Sequence, residues 1–419
     1  MNKNKNFVLG LALTGVFTIL GVPVTQVALA TQPVCQLWVT SQGTDHPTII
    51  DGATLETSTM SIGRTSWNVA MAPNGSKAYI STDTDIKVVN IASGYELRTI
   101  NKASFVVATS PDGTKMYTAG WASGILDEFT TLDDGATSRS ATVGRNPTDV
   151  AVSPNGAHLY VANYNSNPST VTKIDLLSFS PTNHDVDGSY ARTAGVAVSP
   201  DASKLYVVLY GANVVKELDT ATMTVQRSVP VASAPRDVVT NSSGSKIYVT
   251  STNGNHVVEI DSTTFTVTAT IPVGNSPQKL AISPDDRYLF VTNQGSDSVS
   301  KIDLSTDSVV DTIIVNDEPY GIAIGPSNCT TVVAAAVAPA AVVTPETTAV
   351  PTTTLAPTTT VAPTTTVSSP PLELPATGTE PNSWLVVALS AVVSGTVLVA
   401  RRRQHSKMNT RSTKTGLTG

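Results

Sequence analysis

The run 275-NSPQKLAISPDDRYLFVTNQGSDSVSKIDLSTDSVVDTIIVN-316 decides the fold. It predicts four short strands. Leu280 to Ile282 is apolar and ends at Ser283-Pro284-Asp285-Asp286, a turn because proline fixes φ and aspartate bonds its own backbone. Tyr288 to Thr292 and Val299 to Leu304 follow, separated by the polar stretch Asn293 to Ser298, and Val309 to Val315 closes the unit with β-branched residues. One such unit cannot bury both of its faces, so the number of copies is the next question.

Aligned on that turn, the unit recurs at Pro73, Pro111, Pro154, Pro200, Ser242 (where proline would stand), Pro284 and Pro326, in steps of 38, 43, 46, 42, 42 and 42 residues. A period near 40 with four strands each marks a propeller blade. A helical solenoid would show 3.6-residue periodicity, which is missing between Cys35 and Cys329. The last copy stops after its first strand, while the globular part begins inside a copy with Cys35-Gln-Leu-Trp-Val-Thr, Thr48-Ile-Ile-Asp51 and Thr57 to Gly63. In the alignment Leu37-Trp38-Val39 takes the place of Leu159-Tyr160-Val161. Six whole units and this hybrid predict an all-β, seven-bladed propeller over residues 31–329, its ring closed by strands from both termini so that no free edge remains. Cys35 and Cys329 both fall at the position of Ala157 and are the only cysteines. A disulfide between them would lock a loop of nearly 300 residues, for which the chain-entropy estimate is roughly 5 kcal/mol; two buried thiols are the alternative.

Residues 1–30 carry Lys3 and Lys5, an apolar run from Phe7 to Val22, and Ala28-Leu29-Ala30, the pattern of a cleaved secretory signal peptide. Residues 330–373 change character. Pro351-Thr-Thr-Thr-Leu-Ala, Pro357-Thr-Thr-Thr-Val-Ala and Pro363-Thr-Thr-Thr-Val-Ser repeat every six residues without an aromatic side chain. A disordered, extended stalk is expected there, on the order of 130 Å long at about 3.1 Å per residue.

The carboxyl end runs Leu374-Pro375-Ala376-Thr377-Gly378, an uncharged stretch over 384–400 read as a hydrophobic transmembrane helix, then Arg401-Arg402-Arg403 and a basic cytoplasmic tail over 401–419. This order resembles the cell-wall sorting signal of Gram-positive surface proteins. The resemblance implies that sortase cuts between Thr377 and Gly378 and joins Thr377 to peptidoglycan, so that the membrane is touched only through the C-terminal segment before sorting. A plain membrane anchor is the alternative. Export removes Lys3 and Lys5, and sorting removes six basic residues and Glu380, so 26 basic and 32 acidic residues become 18 and 31, a net charge of −13. With no basic cluster along a face, nucleic acid is not an expected partner.

Pro147-Thr-Asp-Val-Ala-Val-Ser-Pro-Asn-Gly, Leu159-Tyr-Val-Ala-Asn163 and Tyr288-Leu-Phe-Val-Thr-Asn293 resemble the YVTN family of β-propellers found in microbial surface proteins. The matching residues are turn and core residues, so the resemblance implies fold and not activity. Asp51, Asp175, Asp219, Asp261 and Asp303 read as turn-forming aspartates after third strands.

Similar seven-bladed rings include lactonases and a metal-dependent lyase. Such chemistry needs His and carboxylates converging on one point, and His46, His158, His184 and His256 are spread along the chain. Asp83, Asp85, Asp133, Asp134, Asp185 and Asp187 lack the spacing of a calcium loop. No metal or other cofactor and no catalytic residue is expected. Binding has the better case, because the loop entering each first strand opens on one face of the ring. Two residues before the core of that strand stand Trp67, Phe105, Thr148, Ala194, Arg236, Gln278 and Tyr320. Tyr320, Trp67 and Phe105 come from consecutive blades and Trp121 from a neighbouring loop, with Arg236 and Gln278 opposite. The group is either a platform for a glycan or protein ligand or a plug for the channel. The sequence thus predicts a secreted, cell-wall-anchored, non-catalytic propeller acting in adhesion, recognition or envelope structure. The alternatives are an extracellular lactonase-like hydrolase or lyase and a purely structural surface-layer component.

Overall fold

The structure is a computed structural model that describes residues 17–19, 22–24, 35–131, 137–231 and 233–325. Cys329, the stalk, the LPATG motif, the apolar segment 384–400 and the tail lie outside the described residues. So does the expected signal peptide, apart from Phe17–Ile19, which pairs antiparallel with Val22–Val24. The chain divides into two units, Met1–Ala340 and Ala341–Gly419, of which the second lies wholly outside the described residues. No described helix is long and apolar enough to cross a membrane.

Seven four-stranded antiparallel sheets form the propeller. Their first strands are Ser66–Met71, Val106–Thr109, Pro147–Val152, Thr193–Val198, Pro235–Thr240, Pro277–Ile282 and Pro319–Ile324, which define blades one to seven and lie against one another around the axis. Blade six has the strands read from its sequence, Pro277–Ile282, Tyr288–Asn293, Ser298–Asp303 and Ser308–Ile314, with a single 3-10 turn at Gln294–Ser296. Blade seven is the hybrid. Pro319–Ile324 pairs with Gln36–Ser41, and Leu37, Trp38 and Val39 face Ile324, Ala323 and Ile322. Leu159, Tyr160 and Val161 face Val152, Ala151 and Val150 in blade three, the same register.

The pattern of the second strands explains why blades stack. Their third residues, Tyr79, Tyr117, Tyr160, Tyr206, Tyr248, Phe290 and Trp38, are each no more than 3% exposed. Each fills the gap between neighbouring sheets, and burial of such a ring is worth about 2–3 kcal/mol. Burial pushes the phenols of Tyr117, Tyr160 and Tyr206 up to about 12.

Turn chemistry repeats as regularly. In blades two, three, four and six the serine that precedes the turn proline accepts a hydrogen bond from the first residue of the next strand: Lys115 N to Ser110 Oγ, His158 N to Ser153 Oγ, Lys204 N to Ser199 Oγ and Tyr288 N to Ser283 Oγ are all 2.9 Å. In blade five Asn241 Oδ1 takes this role at 3.0 Å. After the third strands, Asp51, Asp175, Asp219, Asp261 and Asp303 accept from backbone N–H groups two or three residues on, as expected of turn formers. Backbone donors hold the carboxyls of Asp175, Asp219 and Asp261 below the usual range, and Ser305 does the same for Asp303 through its hydroxyl and its N–H.

Candidate functional site

The site begins with a backbone irregularity. In blades one, three, four, five, six and seven the ladder between first and second strands is broken just after the strand begins. The break holds Trp67, Thr148 and Ala194 in blades one, three and four, and Arg236 with Asp237, Gln278 with Lys279 and Tyr320 with Gly321 in blades five to seven; Phe105 stands immediately before Val106 in blade two. A bulge re-aims the side chain it carries. This is why one position in every blade points to one rim.

Hydroxyls of neighbouring blades fix these bulges. Thr40 Oγ1 donates to Trp67 O at 3.0 Å, Ser81 Oγ to Phe105 O at 3.1 Å, Thr148 Oγ1 to Ala194 O at 2.9 Å, Thr250 Oγ1 to Gln278 O at 3.1 Å and Thr292 Oγ1 to Tyr320 O at 2.7 Å. Gly321 permits the close approach of blades seven and one, since a Cβ there would come within 2.8 Å of Asn68 Cα and Trp67 O.

Trp67, Phe105 and Tyr320 do meet. Ring centroids are 4.9 Å apart for Trp67–Phe105, 5.8 Å for Phe105–Tyr320 and 6.2 Å for Trp67–Tyr320. Trp121 joins at 5.2 Å from Phe105. Beyond the residues singled out in the sequence, the row continues through Tyr164, 5.9 Å from Trp121, to Tyr210, 5.8 Å further. Trp121, Tyr164 and Tyr210 are each the first residue after a second strand, in blades two, three and four. That register was available in the sequence and marks a second, outer ring of positions. In the other blades the same place holds Thr252, Gln294, Gln42 and Asp83, so the rim is aromatic on one side and amide-rich on the other. Gln294 Nε2 donates to Gln42 Oε1 at 2.9 Å.

Phe105 and Tyr320 are buried, whereas Trp67 and Trp121 stay partly open. Above the buried pair lies a cavity of about 830 Å³ lined by Trp67, Phe105, Trp121, Tyr320, Arg236, Gln42 and Gln294 among others. That is a size suited to a small-molecule or oligosaccharide ligand. Arg236 does not stand opposite the aromatic group. Its Nη2 donates to Tyr320 Oη at 2.9 Å and its guanidinium carbon lies 5.4 Å from the ring centroid. Burial opposes its charge, and the phenols of Tyr320, Tyr164 and Tyr210 act to retain it. Gln278 is 3% exposed and does not line the cavity; its Nε2 donates to Ser276 O, and its Oε1 has no partner among the described residues.

One residue deeper in the same register sit Asp149, Asp237 and Lys279, a cluster the sequence reading missed. Lys279 Nζ donates to Asp149 Oδ1 and to Asp237 Oδ1, each at 2.8 Å. The remaining oxygens accept from the next blade: Asp149 Oδ2 from Val196 N at 2.9 Å and Asp237 Oδ2 from Leu280 N at 2.8 Å. Burial pushes the Asp237 carboxyl up despite Lys279, and the two carboxylates hold Lys279 charged although burial works against it.

His46, His158, His184 and His256 stand in blades seven, three, three and five. No group of three potential metal ligands occurs among the described residues. Asp185 caps a turn through Asp187 N and Gly188 N, Asp187 pairs with Lys216, and Asp133 and Asp134 lie outside the described residues.

Comparison with known proteins adds two facts. Residues 369–407 match the LPXTG cell wall anchor motif, which fits Leu374 to Gly378 and the arginines that follow the apolar run. The chain therefore belongs to the cell surface, exported, processed by sortase and attached to peptidoglycan. Among solved structures the chain is similar to the hydrazine synthase of Kuenenia stuttgartiensis, at 19% identity and a TM-score of 0.60, over 64% of this chain and 92% of that one. It is also similar to a functionally unknown protein of Desulfotomaculum acetoxidans, at 16% and 0.60, and to a protein of Lactobacillus plantarum, at 15% and 0.59, each over 70% of this chain and 99% of the other. At these identities the likeness concerns the fold alone. No curated protein matches the chain.

Proposed function

We propose that this surface propeller is a non-catalytic recognition protein, held away from the wall by the Thr/Pro segment and binding an extracellular ligand in the aromatic cavity above its channel. The observation that carries this is the layering of the rim. Buried Phe105 and Tyr320 form a rigid floor, and Trp67, Trp121, Gln42 and Gln294 present rings and amides to a space of about 830 Å³. Rigid aromatic faces with few rotatable bonds lose little entropy on binding, and amides add orientation. A non-catalytic role is favoured by the state of the channel carboxylates. General acid–base work needs a group free to exchange a proton with substrate, and both oxygens of Asp149 and of Asp237 are engaged inside the protein.

The test is a screen of the mature chain, residues 31–377, against glycan and host-matrix panels, followed by the variant Trp67→Ala/Trp121→Ala. Binding that falls at least tenfold with an unchanged melting temperature is expected. A lowered melting temperature with binding intact would leave the rings as a plug and sink the proposal.

A further inference from the structure

Arg236 is the cation whose surroundings ask for something outside the chain. Buried Lys279 is matched by Asp149 and Asp237, and Lys102, on the cavity wall, by Asp127 at 2.8 Å, whereas the half-buried Lys77 and Lys173, away from the cavity, donate to the carbonyls of Thr131 and Thr220. Arg236 has no carboxylate within 4.0 Å among the described residues. Among the described residues its guanidinium donates a side-chain hydrogen bond to the Tyr320 hydroxyl, and a guanidinium carries five N–H donors. It lines the cavity next to Trp67, Phe105 and Tyr320, where water is partly excluded and an added anion would be attracted more strongly than at an open surface.

We infer that the cavity takes a carboxylate-bearing saccharide, a uronic or sialic acid unit, whose carboxylate pairs with Arg236. Its C–H faces lie on Trp67 and Trp121, and its hydroxyls meet Gln42, Gln294 and Asp83. This rests on the recognition reading above and narrows it to one ligand chemistry. Each part of the wall answers a part of such a sugar. The planar fork of arginine matches a carboxylate in bidentate fashion, ring faces match axial C–H groups, and amides match vicinal hydroxyls. An extended peptide is the less apt occupant, because such ligands dock on open strand edges and this cavity is walled by side chains at the axial end of the sheets. The acidic balance of the mature chain argues against a densely sulfated or phosphorylated polymer. A single carboxylate per binding unit requires only the one local cation.

Tryptophan fluorescence of the mature chain, titrated in separate arms with 3′-sialyllactose and a hyaluronan tetrasaccharide, tests the assignment and distinguishes the two sugar sources. Lactose and the carboxyl-reduced tetrasaccharide are the neutral controls, and a peptide with a free C-terminal carboxylate is the third arm. Saturable binding of at least one acidic sugar is expected, at least tenfold tighter than its neutral control and weakened at least tenfold in Arg236→Gln. Arg236→Lys should retain part of the affinity, and its melting temperature separates lost contact from lost fold. Equal affinity for acidic and neutral sugars, tighter binding of the peptide, indifference to Arg236→Gln in a folded variant, or no saturation by either acidic sugar overturns the inference. The recognition reading is decided separately, by the unbiased screen with Trp67→Ala/Trp121→Ala.

Discussion

Lys279 binds two carboxylates that come from residues 130 and 42 positions away. Removing it would leave Asp149 and Asp237 facing one another in the closed lumen, and an uncompensated buried charge costs about 3–5 kcal/mol. Lys279→Met is therefore expected to unfold at much lower denaturant, and to regain stability as the pH is lowered and a carboxyl takes up a proton. The folded pKa of Asp237 lies above the unfolded value of 3.8, at about 6. The folded state thus holds this proton more tightly, and the associated stability is fully present below pH about 4 and lost as pH rises through about 6. In thermal melts from pH 4 to pH 7 the wild type should lose stability relative to Asp237→Asn over that window. Parallel curves would show that Asp237 does not titrate there. None of this is visible from residue types alone, since an Asp, an Asp and a Lys in three blades look like surface charges until the ring is closed.

At the scale of the strand, the bulge and the hydroxyl that grips it form one device. Thr292 Oγ1 donates to Tyr320 O at 2.7 Å and accepts from Lys279 N at 3.0 Å, so a single side chain registers blade six against blade seven and seats both a rim residue and a channel residue. Thr292→Val preserves shape but leaves a buried carbonyl and a buried N–H unpaired. A loss of about 1–3 kcal/mol is expected in denaturant unfolding. If ligand binding to the cavity is present in the wild type, it should weaken in the same variant because Tyr320 loses its anchor. The four strands of blade six were legible in the sequence to within a few residues because alternation and turn chemistry are local. The bulges were not, because a break in the ladder is a relation between two strands.

For the whole molecule, closure joins the first and last strands of the propeller segment. Gly325 N donates to Gln36 O at 2.9 Å, and Cys35 is 2% exposed beside that junction. Cys329 follows Gly325 by four positions and lies outside the described residues. No described cysteine is free. The Cys35–Cys329 bridge expected from the alignment should appear in a non-reducing peptide map, and Cys35→Ser should lower stability by up to about 5 kcal/mol. Two titratable thiols in the native protein would rule the bridge out. A covalent clasp would keep the hybrid blade from opening at its first-strand junction.

The chain's own sequence determined the repeat, the count of seven, the hybrid blade with its register, and the address at the cell wall. All of these rest on local signals: turn residues, alternation and a linear motif that an enzyme reads in extended form. It also placed Trp67, Phe105, Tyr320 and Arg236 at one position of the repeat. Tertiary structure alone decided what those positions do. Ring closure turned Arg236 toward Tyr320, withdrew Gln278 from the cavity, and brought Asp149 and Asp237 onto Lys279. The physical reason is that the Arg236–Tyr320 and Lys279–Asp149 contacts join blades that are not neighbours. Their partners are set by the angle at which seven sheets close around an axis, and no spacing along the chain encodes which blade will face which.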